Sequence, residues 1–537
     1  MNSIKNSVIL FFICLIGLCH ADITDYLRGT DRTFNAIEGK VLDFNFYMDE
    51  KDYSKFIECA QMNHAIFFGK YHTQLPEELN FERNLKLNIT VGDEVYSFSK
   101  VNFKFGGNFG RTCQKIGYNI KFKNKESFLG RKSLRIRPNF FDNTHLKSKI
   151  ASDLLSKWDY PTVQESFCRL YINGRYLGFY SLMDAIKPNW VKAKYHLPED
   201  EDVKTLYNCG KINMDFCTEA TKYCNNEKDE YLNYTLPLAQ TVDEICSYTT
   251  IDQLKTKINV ENVRKQMIAE YLYSSIDQML VGAHNFHLYQ KSDGIWDIIP
   301  HDFDSIFVGN INNALNNGMP VQLKRQNSLS EYATAPFEDW YVDYIKKPFV
   351  DIIYYNDKKQ FRKVLKEMLI TGFNPDELYP RIDELANFIA PYVKEDITPD
   401  ENGILPGYIN RIGKSTNETY SMEFFWDSIN SDNVQNKLSI KHFIELKFDS
   451  VCKYFNFNKK EILREARNYR KKRETKILMD EVKAEIDLKK QEFNEFEKIV
   501  NELNKQLKEK KRELEKSRKN IDSLKRKLDK LRNKYDY

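Results

Sequence analysis

The sequence predicts an α+β protein of two lobes, followed by one long helix that forms a coiled coil. Three observations carry this. Strand-like alternation and turn signals mark the first part of the chain, as in KVNFKFGG and YNIKFKN. Helical spacing dominates after Pro348, and one hairpin at residues 284–305 lies between the two regimes. From Met479 onward the apolar residues keep a seven-residue register that no Gly or Pro interrupts.

The elements follow in chain order. Residues 1–21 read as a secretory signal peptide, with Lys5 as the positive start and Val8 to Leu18 as an apolar run too short to span a bilayer. Cys19 and Ala21 are small residues placed for cleavage after Ala21. No later stretch approaches the length of a membrane span, so the mature protein is expected to be secreted or on a cell surface, with neither a span nor a lipid-anchor tail. Loss of the signal removes Cys14 and Cys19 and leaves eight cysteines, an even number that suggests disulfides in an oxidising compartment. Four of them, from Cys209 to Cys246, fall in a polar insertion at about 196–250, and no CxxC pair supports a zinc framework. Sequons at Asn88, Asn233 and Asn417 fit a secretory route.

The body spans about 22–455, with a smaller lobe at about 22–185 and a larger one running to about 455. THLKSKIASDLLSKWD has helical spacing with Thr144 as an N-cap candidate. FCRLYINGRYLGFYSLMD reads as a hairpin turned at Asn173-Gly174. VENVRKQMIAEYLYSSIDQML reads as a helix that carries Asp277 at its end. The 42% hydrophobic content allows a large core, and a net charge of +4 over 537 residues argues against a nucleic-acid binder built on a global basic field.

Residues 456–474 form a basic linker helix. Its RNYRKKRETK stretch is either a solvated basic face or a processing site after Arg473. In the tail, 475–537, nine apolar residues from Met479 to Tyr535 recur every seventh position, with Val482, Phe496, Leu503, Leu524 and Leu531 as companions. Lys489, Lys510 and Ser517 stand in the same seam. The tail carries 19 Lys/Arg and 14 Asp/Glu. Such a stripe needs a partner, so self-association is expected.

The stretch HNFHLYQKSDGIWDIIPHDFDS holds the candidate site. Ser292-Asp293-Gly294 makes the turn, which brings Asn285 on one strand and Asp302 on the other to the same open end. Asp304 follows, and Asp277 precedes Asn285 by eight residues. Amide and carboxylate oxygens suit a hard cation such as Mg²⁺ or Mn²⁺. Asp-rich strand ends also cap and hydrogen-bond locally, and both readings stand on this stretch alone. His284, His287 and His301 are zinc-ligand types, but they alternate around strand ends, where a structural role is the commoner one.

Several ordered segments resemble the CotH family of spore-coat-type atypical protein kinases. GGNFGRTCQKIGYNIKFK resembles its Gly-containing loop and following strand, LKSKIASDLLSKWDYP its helix, and RLYINGRYLGFYSLMDAI its YING hairpin. SIDQMLVGAHNFHLY and IPHDFDSIF resemble its Asp, HN and DFD elements, and the likeness covers about residues 30–400. It implies a two-lobed kinase-like fold that uses ATP and Mg²⁺ or Mn²⁺ to phosphorylate Ser/Thr of a protein substrate. By position it implies Asp277 as the catalytic Asp, with Asn285, Asp302 and Asp304 at the metal. Lys121, Arg111, Lys115, Gly107 and Asn108 would hold the nucleotide, and Asp153 would pair with Lys121. The chain departs from the family pattern at Gly106, Asp184 and His301, which bears on nucleotide affinity and substrate preference. Two other functions fit the same residues: a non-catalytic surface or coat protein that binds a partner, and a metal-dependent glycosyltransferase using Asp302-Phe303-Asp304 as its DxD.

Overall fold

The computed structural model describes residues 23–535, apart from 140, 218–219, 310, 312–323, 325, 341–346, 415–420 and 432–437. The signal peptide and the Asn417 sequon therefore lie outside the described residues. The α+β class and the long C-terminal helix hold, but the small-lobe strands do more than form a sheet. Seven strands close into a barrel in the order β1-β2-β3-β4-β5-β7-β6. They are β1 (Val41–Tyr47), β2 (Glu82–Val91), β3 (Glu94–Gly106), β4 (Gly117–Phe122), β5 (Ser133–Arg137), β6 (Glu165–Ile172) and β7 (Arg175–Asp184). The closing contact is parallel, β1 against β6, and the other pairs are antiparallel. Closure leaves no free edge to mask. Alternation does the rest: Phe46, Phe103, Phe105 and Tyr118 turn inward, and Phe56 from helix α1 (Glu50–Ala60) stacks among them.

The β6–β7 turn is where the sequence placed it. Asn173 and Gly174 both take positive φ, 51° and 75°, as a two-residue hairpin turn requires. Helix α2 (Lys147–Lys157) starts later than THLKSK suggests. Its amide cap comes from Asp142, whose Oδ2 accepts from Lys147 N at 2.7 Å, while Thr144 Oγ1 accepts from Leu146 N at 3.2 Å.

A second sheet has the order β11-β10-β8-β9, from β8 (Leu206–Cys209), β9 (Cys224–Asn226), β10 (Phe286–Gln290) and β11 (Trp296–Pro300). The insertion thus adds two strands to the site hairpin. Disulfides Cys209–Cys224 and Cys217–Cys246 staple it, so the four clustered cysteines pair with one another. Cys59, Cys113, Cys168 and Cys452 are buried free thiols. Helix α3 (Val260–Leu272) packs on β11, while α4 (Pro375–Asp396) lies against β7 of the barrel with α5 (Ile440–Tyr454) beside it.

Residues up to Tyr469 form one compact unit, in which the smaller lobe's strands make a closed barrel and not the classic open sheet. The unit is held together by a sealed ion cluster. Lys149 Nζ lies 2.6 Å from Asp153 and 3.0 Å from Glu38, and Arg381 lies 2.7 Å and 2.5 Å from the same two carboxylates. Arg32 joins Glu38 at 3.1 Å. All five side chains are 3% exposed or less. Asp153 thus pairs with Lys149 and Arg381, which corrects its expected pairing with Lys121.

The second unit, Arg470–Tyr537, is the tail. Helix α6 runs without a break from Lys459 to Tyr535, and its apolar stripe is exposed from Met479 to Leu531. Among the described residues no helix is long and apolar enough to cross a membrane.

Removing one partner from a buried ion cluster strands the others without water. Arg381→Ala should therefore cost about 3–5 kcal/mol of stability. Urea denaturation of the variant against the parent measures it, and a loss under about 1 kcal/mol would show that the cluster does not hold the body together.

Candidate active site

The β10–β11 register pairs Phe286 with Pro300 and Gln290 with Trp296, so the strands open just before Asn285 and just after Pro300. His301 N donates to Asn285 O at 3.0 Å and closes the last rung. The two chains then diverge, and Asn285 and Asp302 stand together at the open end. Both have positive φ, 58° and 68°, as does Ala283 at 50°. Three such non-glycine residues in one small region mark a backbone held by its surroundings, as functional sites often are.

Asp277 reaches this end from a loop and not from a helix end. Helix α3 stops at Leu272, and Ser274 takes φ 44°. The reason is Glu270, whose carboxylate turns back to accept from Leu280 N at 2.7 Å, Met279 N at 3.3 Å and Gln266 Nε2 at 2.8 Å. Those bonds fix the loop. Asn285 Nδ2 then donates to Asp277 Oδ2 at 3.0 Å and to its carbonyl at 3.1 Å, and His284 Nε2 lies 3.1 Å from Asp277 Oδ1.

The positive side of the site comes from β5. Arg137 Nη1 lies 2.5 Å from Asp302 Oδ2, and its Nη2 lies 3.4 Å from Asp304 Oδ2. Arg135 faces the same way two residues earlier. Burial depresses it to about 10, and neighbouring Arg137 adds to that. Burial works against the Asp302 charge, but Arg137 and Arg135 outweigh it and hold the carboxyl well below its usual range. Burial and then the Asp302 charge push Asp304 up to about 7, and Asp277 acts in the same direction. The site therefore holds two carboxyls of opposite tendency, split by one guanidinium.

A wall of polar groups backs Asp302. The His301 ring lies tilted against that of His287, centroids 4.9 Å apart, and His287 Nε2 lies 2.9 Å from Glu227 of the insertion. Lys187 pairs with the same Glu227. Burial, then His287 and Arg135, keep His301 far below its usual range. The histidines are thus structural neighbours of the site.

The structure gathers Asp277, Asn285, Asp302 and Asp304, and it does not gather the expected nucleotide residues with them. Lys121 is exposed on β4 opposite Ser133, four residues along β5 from Arg137, about 13 Å. Lys115 is buried, with its Nζ 2.6 Å from Asp396 and donating to Phe179 O at 2.9 Å. Arg111 is buried over the Phe105 ring and donates to Cys59 O at 2.9 Å. Both side chains thus have partners within the fold. Gly107 and Asn108 lie exposed in the loop after β3. Cys113, just beyond that loop, lies near enough for the Asp304 charge to act on its thiol. The residue that sequence reading missed is Arg137, and the signal was the alternating pair Arg135 and Arg137 in SLRIR.

The oxygen donors Asn285, Asp302 and Asp304 are of the kind a hard cation takes. Among the described residues no three His, Cys, Asp or Glu side chains are spaced to hold an ion as they stand. Asp302 would have to exchange Arg137 for the metal.

The gathered site thus consists of an aspartate held by an asparagine and a carboxylate pair set across from an arginine. The family described as CotH kinase protein matches residues 103–447, well over half the chain, and the chain belongs to that family. The inner spore coat protein H of Bacillus subtilis is 21% identical over 58% of this chain and 85% of its own length. The invasin CotH3 of Rhizopus delemar is 22% identical over 58% of this chain and 52% of its own, so this chain spans about half of it. The Helicobacter pylori proinflammatory kinase CtkA aligns at 11% identity over 52% of this chain and 91% of its own, with a TM-score of 0.21, too low to carry an argument.

Glu270 gives this site a pH signature. Burial raises its carboxyl from 4.5 to about 7, so between those values the folded state binds more protons than the unfolded one. Stability from this group is present below pH 4.5 and is lost as pH rises through about 7. Glu270→Gln removes the term while keeping the shape. From pH 5 to pH 8 the parent should lose about 2–3 kcal/mol relative to this variant, by urea denaturation at both pH values. The depressed histidines His287 and His301 act oppositely but equally in both proteins, so the difference isolates Glu270. A constant difference across the range would show that Glu270 is ionised without strain.

Proposed function

We propose that the protein is a secreted or surface-exposed CotH-type kinase that transfers the γ-phosphate of ATP to serine or threonine of a coat or other extracellular protein. One observation carries the reading: Asp277 is held by Asn285 and His284 at the open end of a hairpin whose other strand delivers Asp302 and Asp304 against Arg137. Asp277 is the base that orients the acceptor hydroxyl and takes its proton. Asn285 fixes its carboxylate by donating to Oδ2, which leaves Oδ1 and His284 on the other side. Arg137 is a fixed positive charge for phosphate oxygens, a forked donor set that suits them. Asn285, Asp302 and Asp304 would hold Mg²⁺ or Mn²⁺, which supplies charge neutralisation for the nucleotide phosphates. The coat and surface setting is supported by what its relatives are called.

A non-catalytic, partner-binding role has one observation in its favour. The Asp302 carboxylate is already matched by Arg137, which would leave the site closed to a cation. Incubation of the purified protein with ATP or with nucleotide sugars, each with Mg²⁺ or Mn²⁺, separates these readings. Phosphate on protein from ATP alone supports the kinase, sugar transfer supports the DxD reading, and neither supports the binding role.

Asp277→Asn should cut phosphoryl transfer by roughly 10²–10⁴-fold while ATP binding, followed by calorimetry with Mg²⁺, stays near that of the parent. Parent-level transfer by the variant would make Asp277 structural.

A further inference from the structure

Among the described residues the tail helix presents an exposed apolar stripe. Phe493 is 68% exposed, Phe496 67% and Leu514 67%, in a helix unbroken from Lys459 to Tyr535. Exposure on this scale over seven turns and more is stable in water only when another helix covers it. We propose that the occupant is the tail of a second copy of this chain, laid antiparallel. This goes beyond the reading of the active site and does not depend on it.

Two independent features of the tail select the orientation. The first is the seam. Its two series of positions differ: every residue of the Met479, Ile486, Phe493 series is apolar through Tyr535, whereas Lys489, Lys510 and Ser517 all stand in the companion series. A parallel pair stacks each series on itself. It would press Lys489 on Lys489 and Lys510 on Lys510 of the copy, like charges in a seam that excludes water. An antiparallel pair sets one series against the other. With the two stripes in full overlap, Lys489 meets Ile521, Lys510 meets Val500 and Ser517 meets Phe493. No lysine then faces a lysine, and each long stem lies along an apolar neighbour with its ammonium at the edge.

The second feature is charge along the length. Residues 475–506 carry 6 Lys/Arg and 8 Asp/Glu, a net of −2. Residues 507–537 carry 13 and 6, a net of +7. Parallel pairing lays the +7 half along another +7 half. Antiparallel pairing lays it along the acidic half, which turns the largest repulsion in the tail into an attraction.

Spin labels on the full chain test this. Asp480→Cys and Lys505→Cys each add one exposed thiol, and the parent treated with the same label controls for reaction at the buried native cysteines. Antiparallel pairing places position 505 close to its copy, within about 25 Å, the spacing of about 10 Å between helices plus two label arms. It places position 480 about 75 Å from its copy, fifty residues along the helix at 1.5 Å each. A mixed dimer of Asp480→Cys with Asp529→Cys should again give a short distance. Short distances at both 480 and 505 mean a parallel pair and overturn the proposal, as does a monomeric or trimeric mass by light scattering. A dimer with a short 505, a long 480 and a short 480–529 distance supports it.

Discussion

The body of this protein depends on five charged side chains that have left water together. Arg32, Glu38, Lys149, Asp153 and Arg381 come from the N-terminal segment, helix α2 and helix α4, which no shared sheet connects. Each ion alone would lose several kcal/mol on burial. Only the assembled set, with each carboxylate shared between cations, makes the burial tolerable, and so the three segments are in place together or not at all. Helix α4 is fixed a second time at its far end, where Asp396 accepts from Lys115 and from Phe179 N at 2.7 Å. Two ionic anchors some four turns apart leave that helix little freedom against the barrel.

This constraint reaches the active site through a short path. Strand β5 ends at Arg137, and the chain passes through Asp142 into helix α2, whose first amide Asp142 caps. The cluster holds α2 through Lys149 and Asp153, so it also holds the exit of β5. Arg137 is thereby aimed from the barrel wall at Asp302 and Asp304, while the hairpin and the Glu270-tethered loop bring in Asn285 and Asp277 from the other side. The split of the two carboxyls follows. Burial alone would raise both, but the guanidinium stands nearer Asp302, which stays charged, and Asp304 takes the repulsion.

How much of this was legible depends on how local each cause is. The hairpin and its open end were readable because the turn and both strands lie within some twenty residues. The β6–β7 turn was readable for the same reason at Asn173-Gly174. Lys121 and Arg137 show the limit. Both alternate outward on strands of similar composition, and only the pairing of Lys121 with Ser133 reveals which one stands at the site. Lys115 looked like a phosphate ligand beside a glycine-rich loop, because its partner Asp396 lies 281 residues further on. The end of helix α3 was hidden because Glu270 is a good helix former whose carboxylate is drawn to the amides of residues 279 and 280. Pairing partners at such separations belong to the tertiary structure and leave no periodic mark.

The insertion that the cysteines announced is part of the same support. Strand β8 pairs with β10, and the Cys209–Cys224 bond ties β9 to β8, so the sheet behind the site is four strands wide and not two. An isolated two-stranded hairpin is marginal in water, and the added strands give it a covered face. Beyond β9, Glu227 is carried to His287, whose ring lies against that of the His301 that precedes Asp302. Glu227 is held down at about 2, since its bonds to His287 and the nearby Lys187 outweigh burial. A charged carboxylate there favours the arrangement of both imidazoles, and with it the left-handed backbone that turns Asp302 toward Arg137. The disulfide-bonded segment is therefore structural backing for the site, joined to it by one ionised glutamate and two buried histidines.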